Sequence, residues 1–231
     1  GPRVGSVVAL RPSTGEVLAM VNYPRFDAQQ FSGPQGRASV RNLALDSRSP
    51  FLNRAIQSVA APASTFKIVM TTAILEEDSF PPEEEINCTG QFEYGNRVFN
   101  DWLEQGHGPL SLAGALAQSC NVYYWTMGAN HLSVDQIIDY SARLGLGQPT
   151  GIDLPGEVSG LVPSPAWKEQ SVNARWVGGD TVNMSIGEGY LQVTPLQMAN
   201  LVATVVNDGR TYRPHVLKEV RDPVTGESLQ Q

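Results

Sequence analysis

Residues 66–75 make an apolar run broken only by two Thr and by Lys67, with no Gly or Pro, and Ser64 stands three positions ahead of that Lys. A run of this kind reads as a buried helix. Pro62 suits the turn before it, which places Ser64 in or near the first turn. At a spacing of three, Lys67 lies one turn along the same face, its amine within reach of the Ser64 hydroxyl. A buried ammonium loses solvation, so its pKa falls and it can serve as a base. The helix N-terminus adds partial positive charge and free N–H groups for a developing oxyanion. Together these describe an activated nucleophile. A plainer reading of the same residues is a capping Ser and a Lys that snorkels out from a core helix. The Lys interrupting an otherwise apolar run favours chemistry.

With 231 residues the chain can form one large domain or two small ones. Its 22 Gly and 16 Pro point to a turn-rich globular protein, and its net charge of −7 argues against nucleic acid or an anionic membrane as main partner. No apolar run approaches a membrane span, and no signal peptide is present. The chain opens Gly1-Pro2-Arg3-Val4, straight into a strand-like run, as expected of a piece cut from a longer protein.

Taken in order, residues 4–10 and 17–21 read as two strands of a hairpin punctuated by Pro12 and Gly15. The polar stretch after Tyr23-Pro24 reads as an irregular loop of about thirty residues. The nucleophile helix ends at Asp78 and Pro81-Pro82. Residues 83–108 read as loop with short strands. Helical pattern follows over 110–127, with Ser111 as N-cap and Ser119-Cys120-Asn121 inside or between helices. Ser133 caps an amphipathic helix that Gly145 ends. Residues 145–190 read as loop-rich, a helix starts at Thr194-Pro195, and 212–220 reads as a strand.

Four runs occur in a telling order: Ser64-Thr65-Phe66-Lys67, Ser119-Cys120-Asn121, Thr150-Gly151-Ile152-Asp153-Leu154-Pro155-Gly156-Glu157, and the stretch from Ser185-Ile186-Gly187-Glu188-Gly189 to Thr194-Pro195-Leu196-Gln197. As a set they resemble the transpeptidase domain of class B penicillin-binding proteins. Gly106-His107-Gly108 shortly before Ser119 makes the cell-elongation type the nearest likeness. The resemblance implies an α/β (α+β) fold, an antiparallel sheet flanked by helices plus an all-helical lobe. The sheet lobe is expected at about 1–60 and 185–231, and the helical lobe at about 61–184.

The resemblance also implies a serine D,D-transpeptidase that cross-links peptidoglycan stem peptides and is acylated by β-lactams. Ser64 is then the nucleophile and Lys67 the base, Ser119 relays a proton to the leaving nitrogen, and Asn121 holds Lys67 or the substrate amide. It implies a membrane-anchored native protein at the outer face of the bacterial inner membrane, with a membrane glycosyltransferase partner and no catalytic cofactor. Ala63 stands where the family usually has Gly, and Glu188 where Gln is commoner. The family's Lys-Thr-Gly strand is not in the sequence, so the sheet is expected to be incomplete at the C-terminus and turnover by this chain low. Class D β-lactamases, β-lactam sensor domains and a non-catalytic elongation scaffold are the alternatives. The first two share the Ser64 motif but typically carry an apolar residue where Asn121 stands.

Cys88, Asp101, His107 and Cys120 form a second constellation, whose donor types suit tetrahedral zinc although their spacing fits no common finger motif. Some elongation-type relatives resemble this chain in having a zinc site beside the Ser-x-Asn motif. Such an ion is structural, all four positions being protein ligands. A Cys88–Cys120 disulfide and two separate thiols stay open as alternatives.

Overall fold

The computed structural model of the chain describes residues 3–230. In chain order its elements are β1 (Gly5–Leu10), β2 (Val17–Tyr23), α1 (Gly36–Ala44), α2 (Arg54–Gln57), α3 (Lys67–Glu76), β3 (Ile86–Cys88), β4 (Gln91–Tyr94), β5 (Arg97–Asn100) and β6 (Gly108–Leu110). Then come α4 (Leu112–Ala117), α5 (Asn121–Asn130), α6 (Val134–Arg143), α7 (Pro165–Val172), α8 (Gly178–Met184), α9 (Pro195–Val206), β7 (Val220–Arg221) and β8 (Ser228–Gln230). The chain divides into two compact units. One takes the residues up to Val59 with Gln148–Gly160 and those from Val193 on; the other takes Ala60–Gly147 and Leu161–Gln192. Among the described residues no helix is long and apolar enough to cross a membrane.

The first unit is built on the expected hairpin: β1 pairs antiparallel with β2, from Gly5 opposite Tyr23 to Leu10 opposite Val17. Alternation turns Val8 and Leu10, and a bulge that leaves Leu18 unpaired brings both Val17 and Met20, toward a small core of Ala55 and Ile56 from α2, Leu196 from α9, and Ile152. The opposite face leaves Val7 64% and Val21 54% exposed. Thr194 caps α9 in a capping box with Gln197, and Pro195 fixes its first turn, as those residue types direct.

Two expectations change in this unit. The stretch after Tyr23 holds a 3-10 turn, Ala28–Phe31, and the helix α1, and it is tied by ring contacts of Phe26 with Phe31 (5.3 Å) and Phe51 (5.1 Å). Three aromatics spread over 25 residues gave no periodic signal. The strand expected at 212–220 is reduced to one bridge, His215 with Glu16, before the short β7–β8 pair. Pro214 in its middle has no N–H to donate to a ladder.

The second unit is mainly helical, with two small antiparallel ladders, β3–β6 and β4–β5. Its core gathers Phe66, Val69, Met70, Ala73 and Ile74 around α3, with Tyr123, Tyr124 and Met127 of α5 and Ile137 of α6, all fully buried. Each of the Phe, Val, Met and Ile side chains among them contributes ~1.5–3 kcal/mol by leaving water. Of the two placements expected for Ser119-Cys120-Asn121, inside or between helices, the structure has the second: α4 and α5 are parted where Ser119 adopts φ +53°. Residues 145–190 also contain α7 and α8. Ser164 followed by Pro165 is the cap-and-Pro signal that marks α7, a signal too short to stand out among Gly-rich loops.

Candidate active site

Ser64 sits on a 3-10 turn, Ala63–Phe66, that runs directly into α3. Ser64 is exposed, whereas Lys67, the first α-helical residue, is 1% exposed. Ala63 adopts φ +49°, the left-handed region that costs a side-chain-bearing residue ~1–2 kcal/mol. What holds it is the Ile186-Gly187-Glu188-Gly189 run. The Ala63 N–H donates to the Gly187 carbonyl at 2.9 Å, and Gly187, at φ +78°, packs so closely that a Cβ there would overlap the Ala63 carbonyl.

The Lys67 amine is the hub. Nζ lies 2.6 Å from Asn121 Oδ1, 2.7 Å from the Ser119 carbonyl, 3.0 Å from Ser119 Oγ and 3.4 Å from Ser64 Oγ. Burial brings its pKa down to about 8, while the nearby Asp101 carboxylate pushes it partly back. A neutral amine keeps two hydrogens, which the Ser119 carbonyl and Asn121 Oδ1 can accept, leaving its lone pair for a hydroxyl proton. The Ser119 turn and the start of α5 therefore grip the amine through neutral oxygens, with no carboxylate in direct contact to fix it as an ammonium.

All four catalytic candidates, Ser64, Lys67, Ser119 and Asn121, thus meet at one amine. Trp102, which no sequence motif singles out, joins them. Its indole N–H donates to the Ser119 carbonyl at 3.3 Å, although the ring is 62% exposed. Its place right after Asp101 was the available signal. The Tyr124 ring centroid lies 5.5 Å from Nζ, with its hydroxyl 2.7 Å from Thr71 Oγ1.

Behind this hub lies the second constellation. One ligand atom from each of Cys88, Asp101, His107 and Cys120 falls within 4.8 Å of the others. Cys88 Sγ is 2.8 Å from Cys120 Sγ, 3.2 Å from His107 Nδ1 and 3.7 Å from Asp101 Oδ2. The two cysteines are not joined, so the disulfide is absent. Cys120 also caps α5, accepting from the Tyr123 N–H. Burial, then the adjacent Cys88 thiol, pushes its own thiol pKa well up. Tight Gly packing shapes the loop: Gly90 (φ +83°) and Gly106 (φ +75°) each press against backbone that leaves no room for a Cβ.

Comparison with known proteins sets this geometry in context. The family described as the penicillin binding protein transpeptidase domain matches residues 5–231. The chain belongs to that transpeptidase domain family. A relative, the peptidoglycan D,D-transpeptidase MrdA of Acinetobacter baumannii, is 35% identical over 94% of this chain and 32% of its own length. The chain thus spans about one third of that curated relative. Among solved structures, PBP2 of Helicobacter pylori in complex with MreC is 29% identical with a TM-score of 0.88, covering 95% of this chain and 41% of that one. PBP2 of Pseudomonas aeruginosa in complex with WCK 5153 is 32% identical with a TM-score of 0.87, covering 99% and 53%. Within this transpeptidase fold the Thr150–Glu157 run closes on itself: the Glu157 carboxylate accepts from the Thr150 N–H and hydroxyl and the Gly151 N–H.

Proposed function

We propose that this transpeptidase domain forms a Ser64 acyl-enzyme with a peptidoglycan stem peptide and transfers the acyl group to an amine. The observation that carries the reading is Lys67 Nζ, buried, with Ser64 Oγ, Ser119 Oγ and Asn121 Oδ1 all within 3.4 Å. Neutral Lys67 takes the Ser64 proton as Oγ adds to the scissile carbonyl. The Ser64 N–H, in the turn that leads into α3, serves as one donor to the resulting oxyanion. Ser119 Oγ passes a proton to the leaving nitrogen as the C–N bond breaks, and is reprotonated from the Lys67 ammonium. An acceptor amine then attacks the ester, its proton returns through the same pair, and Ser64 is released. A β-lactam follows the first half, its ring nitrogen staying tethered.

Zinc is the ion whose chemistry the Cys88, Asp101, His107 and Cys120 donor set suits: two thiols, an imidazole and a carboxylate converge in a mostly buried site. Those residues would hold it, and its part is structural. Asp101 and Cys120 also receive N–H groups at the start of α5, so the same residues fix the loop that bears Ser119 and Asn121. The elongation-type likeness supports action outside the cytoplasmic membrane beside a membrane glycosyltransferase. The Helicobacter neighbour, solved in complex with MreC, supports a further protein partner of the MreC kind.

Intact mass before and after incubation with a penicillin tests the catalytic reading. The expected result is one penicilloyl group on Ser64, stable for hours, absent in Ser64→Ala. An adduct that clears within minutes with release of hydrolysed drug assigns the β-lactamase alternative instead, and no adduct overturns the catalytic reading of this chain.

A further inference from the structure

A cavity of about 270 Å³ opens beside the Gly187 turn, with Trp176, Asp180, Asn183, Glu188 and Tyr190 among its walls. It lies next to the nucleophile in the chain's own bonding, because Gly187 accepts from Ala63, the residue before Ser64. Gly187 (φ +78°) and Gly189 (φ +76°) flank Glu188, and the Glu188 N–H is fixed to the Asn183 carbonyl at 3.0 Å. Two left-handed glycines thus turn one acidic side chain out of a rigid loop.

The charges around the cavity do not balance. Asp180 is satisfied twice, by Lys168 Nζ at 2.6 Å and by the Val177 N–H at 2.8 Å. That Lys168 ammonium, 5.7 Å from the Tyr190 ring centroid, is therefore already neutralised. Glu188 is exposed, and its carboxylate has no ion pair or hydrogen bond among the described residues. One net negative charge remains, beside the rings of Trp176 and Tyr190, the latter 38% exposed. Trp176 is anchored by its indole N–H to Thr181 Oγ1 at 2.9 Å and lines the cavity. A single unpaired carboxylate in a cavity also lined by the Trp176 ring matches a monovalent organic cation: an ion pair plus a cation–π contact. It lacks the oxygen count that a hard metal ion needs.

We infer that this cavity is a subsite for an ammonium-bearing side chain of a peptide, with Glu188 as its specificity-determining residue. The inference rests on the acyl-transfer reading above, in which a peptide amine must approach Ser64. It gives Glu188, where Gln is commoner in the family, a charge-reading role that the amide cannot fill.

The test is calorimetric or NMR titration of the protein with a lysine-containing tripeptide, with the same peptide acetylated on its ε-amine, and with 1,5-diaminopentane. Wild type and Glu188→Gln are compared, and the penicillin mass shift is recorded for both. The expected result is at least tenfold weaker binding on acetylation and an equal loss in Glu188→Gln. Equal binding of the two peptides, unchanged binding by Glu188→Gln, no binding by wild type, or diamine binding as tight as the peptide each overturns the inference. Failure of penicilloylation alongside amine-selective binding instead overturns the acyl-transfer reading and leaves the subsite standing.

Discussion

Asp101 Oδ2 accepts the backbone N–H of Asn121 at 2.7 Å while lying 3.7 Å from Cys88 Sγ, so one buried carboxylate oxygen serves both the metal-type cluster and the active-site loop. It also takes the Val122 N–H at 3.2 Å, satisfying two of the free donors at the start of α5. Asp101→Ala leaves both buried and unpaired, a loss of ~2 kcal/mol. Thermal unfolding should fall by roughly 5 °C for a chain of this size, and penicilloylation of Ser64 should slow at least tenfold as Asn121 loses its anchor. Asp101→Asn keeps an acceptor oxygen and should lose less stability. If zinc is held here, chelation lowers the melting temperature of wild type and leaves that of Asp101→Ala unmoved; equal shifts in both would sink the assignment.

Ala63 and Gly187 carry opposite predictions about one contact. Ala63 pays for φ +49°, so Ala63→Gly should relieve strain and, after the added unfolded-state entropy of Gly, stabilise by ~0.5–1 kcal/mol. Gly187→Ala places a methyl against the Ala63 carbonyl and Phe66 Cβ in a left-handed backbone. It should push the nucleophile turn aside and cut the penicilloylation rate at least a hundredfold. Rates within threefold of wild type in Gly187→Ala would show that the turn does not depend on this packing.

The pair Ser64 and Lys67 was legible because helical spacing alone puts positions three apart on one face, and the observed turn keeps that spacing. Ser119 and Asn121 were legible only as a resemblance. Their meeting at Nζ depends on a left-handed Ser119 that parts α4 from α5, and no periodicity announces a single backbone angle. Trp102 escaped because its one bond is to a backbone carbonyl, which every residue offers. Helices α7 and α8 were hidden because their lengths of 8 and 7 residues give too few repeats for a 3.6-residue period to show among Gly and Pro. The hairpin and α9, with alternation in one and cap, Pro and capping box in the other, carried their whole structure locally.

Gln197 is a structural keystone of the first unit. Buried to 1% exposure, its side chain accepts the Thr194 N–H at 2.8 Å and donates to the carbonyls of Gln148 (2.8 Å) and Ser159 (2.7 Å). It therefore ties the start of α9 to both ends of the 148–160 segment. Gln197→Ala removes three buried bonds at ~1 kcal/mol each, so the denaturation midpoint should drop by the equivalent of ~3 kcal/mol. Limited proteolysis should open within residues 148–160 first. Resistance there equal to wild type would mean the segment is held by other contacts.

Lys67 sets the expected pH dependence. Its pKa, held near 8 by burial instead of the ordinary 10.5, means that the ammonium predominates below pH 8 and the neutral amine above it. If the neutral amine is the base, the penicilloylation rate rises about tenfold per pH unit from 6 to 7.5 and levels off above about 8. Stability moves the same way by linkage. Between pH 8 and 10.5 the unfolded chain binds a proton that the folded one does not, so stability rises with pH across that window. Below 8 both states are protonated and the whole penalty, ~3 kcal/mol, stands. Lys67→Met binds no proton at this position, so its stability relative to wild type should be highest below pH 8 and should decline toward pH 10. A penicilloylation rate that is flat from pH 6 to 9 would exclude neutral Lys67 as the base, whatever the stability difference does.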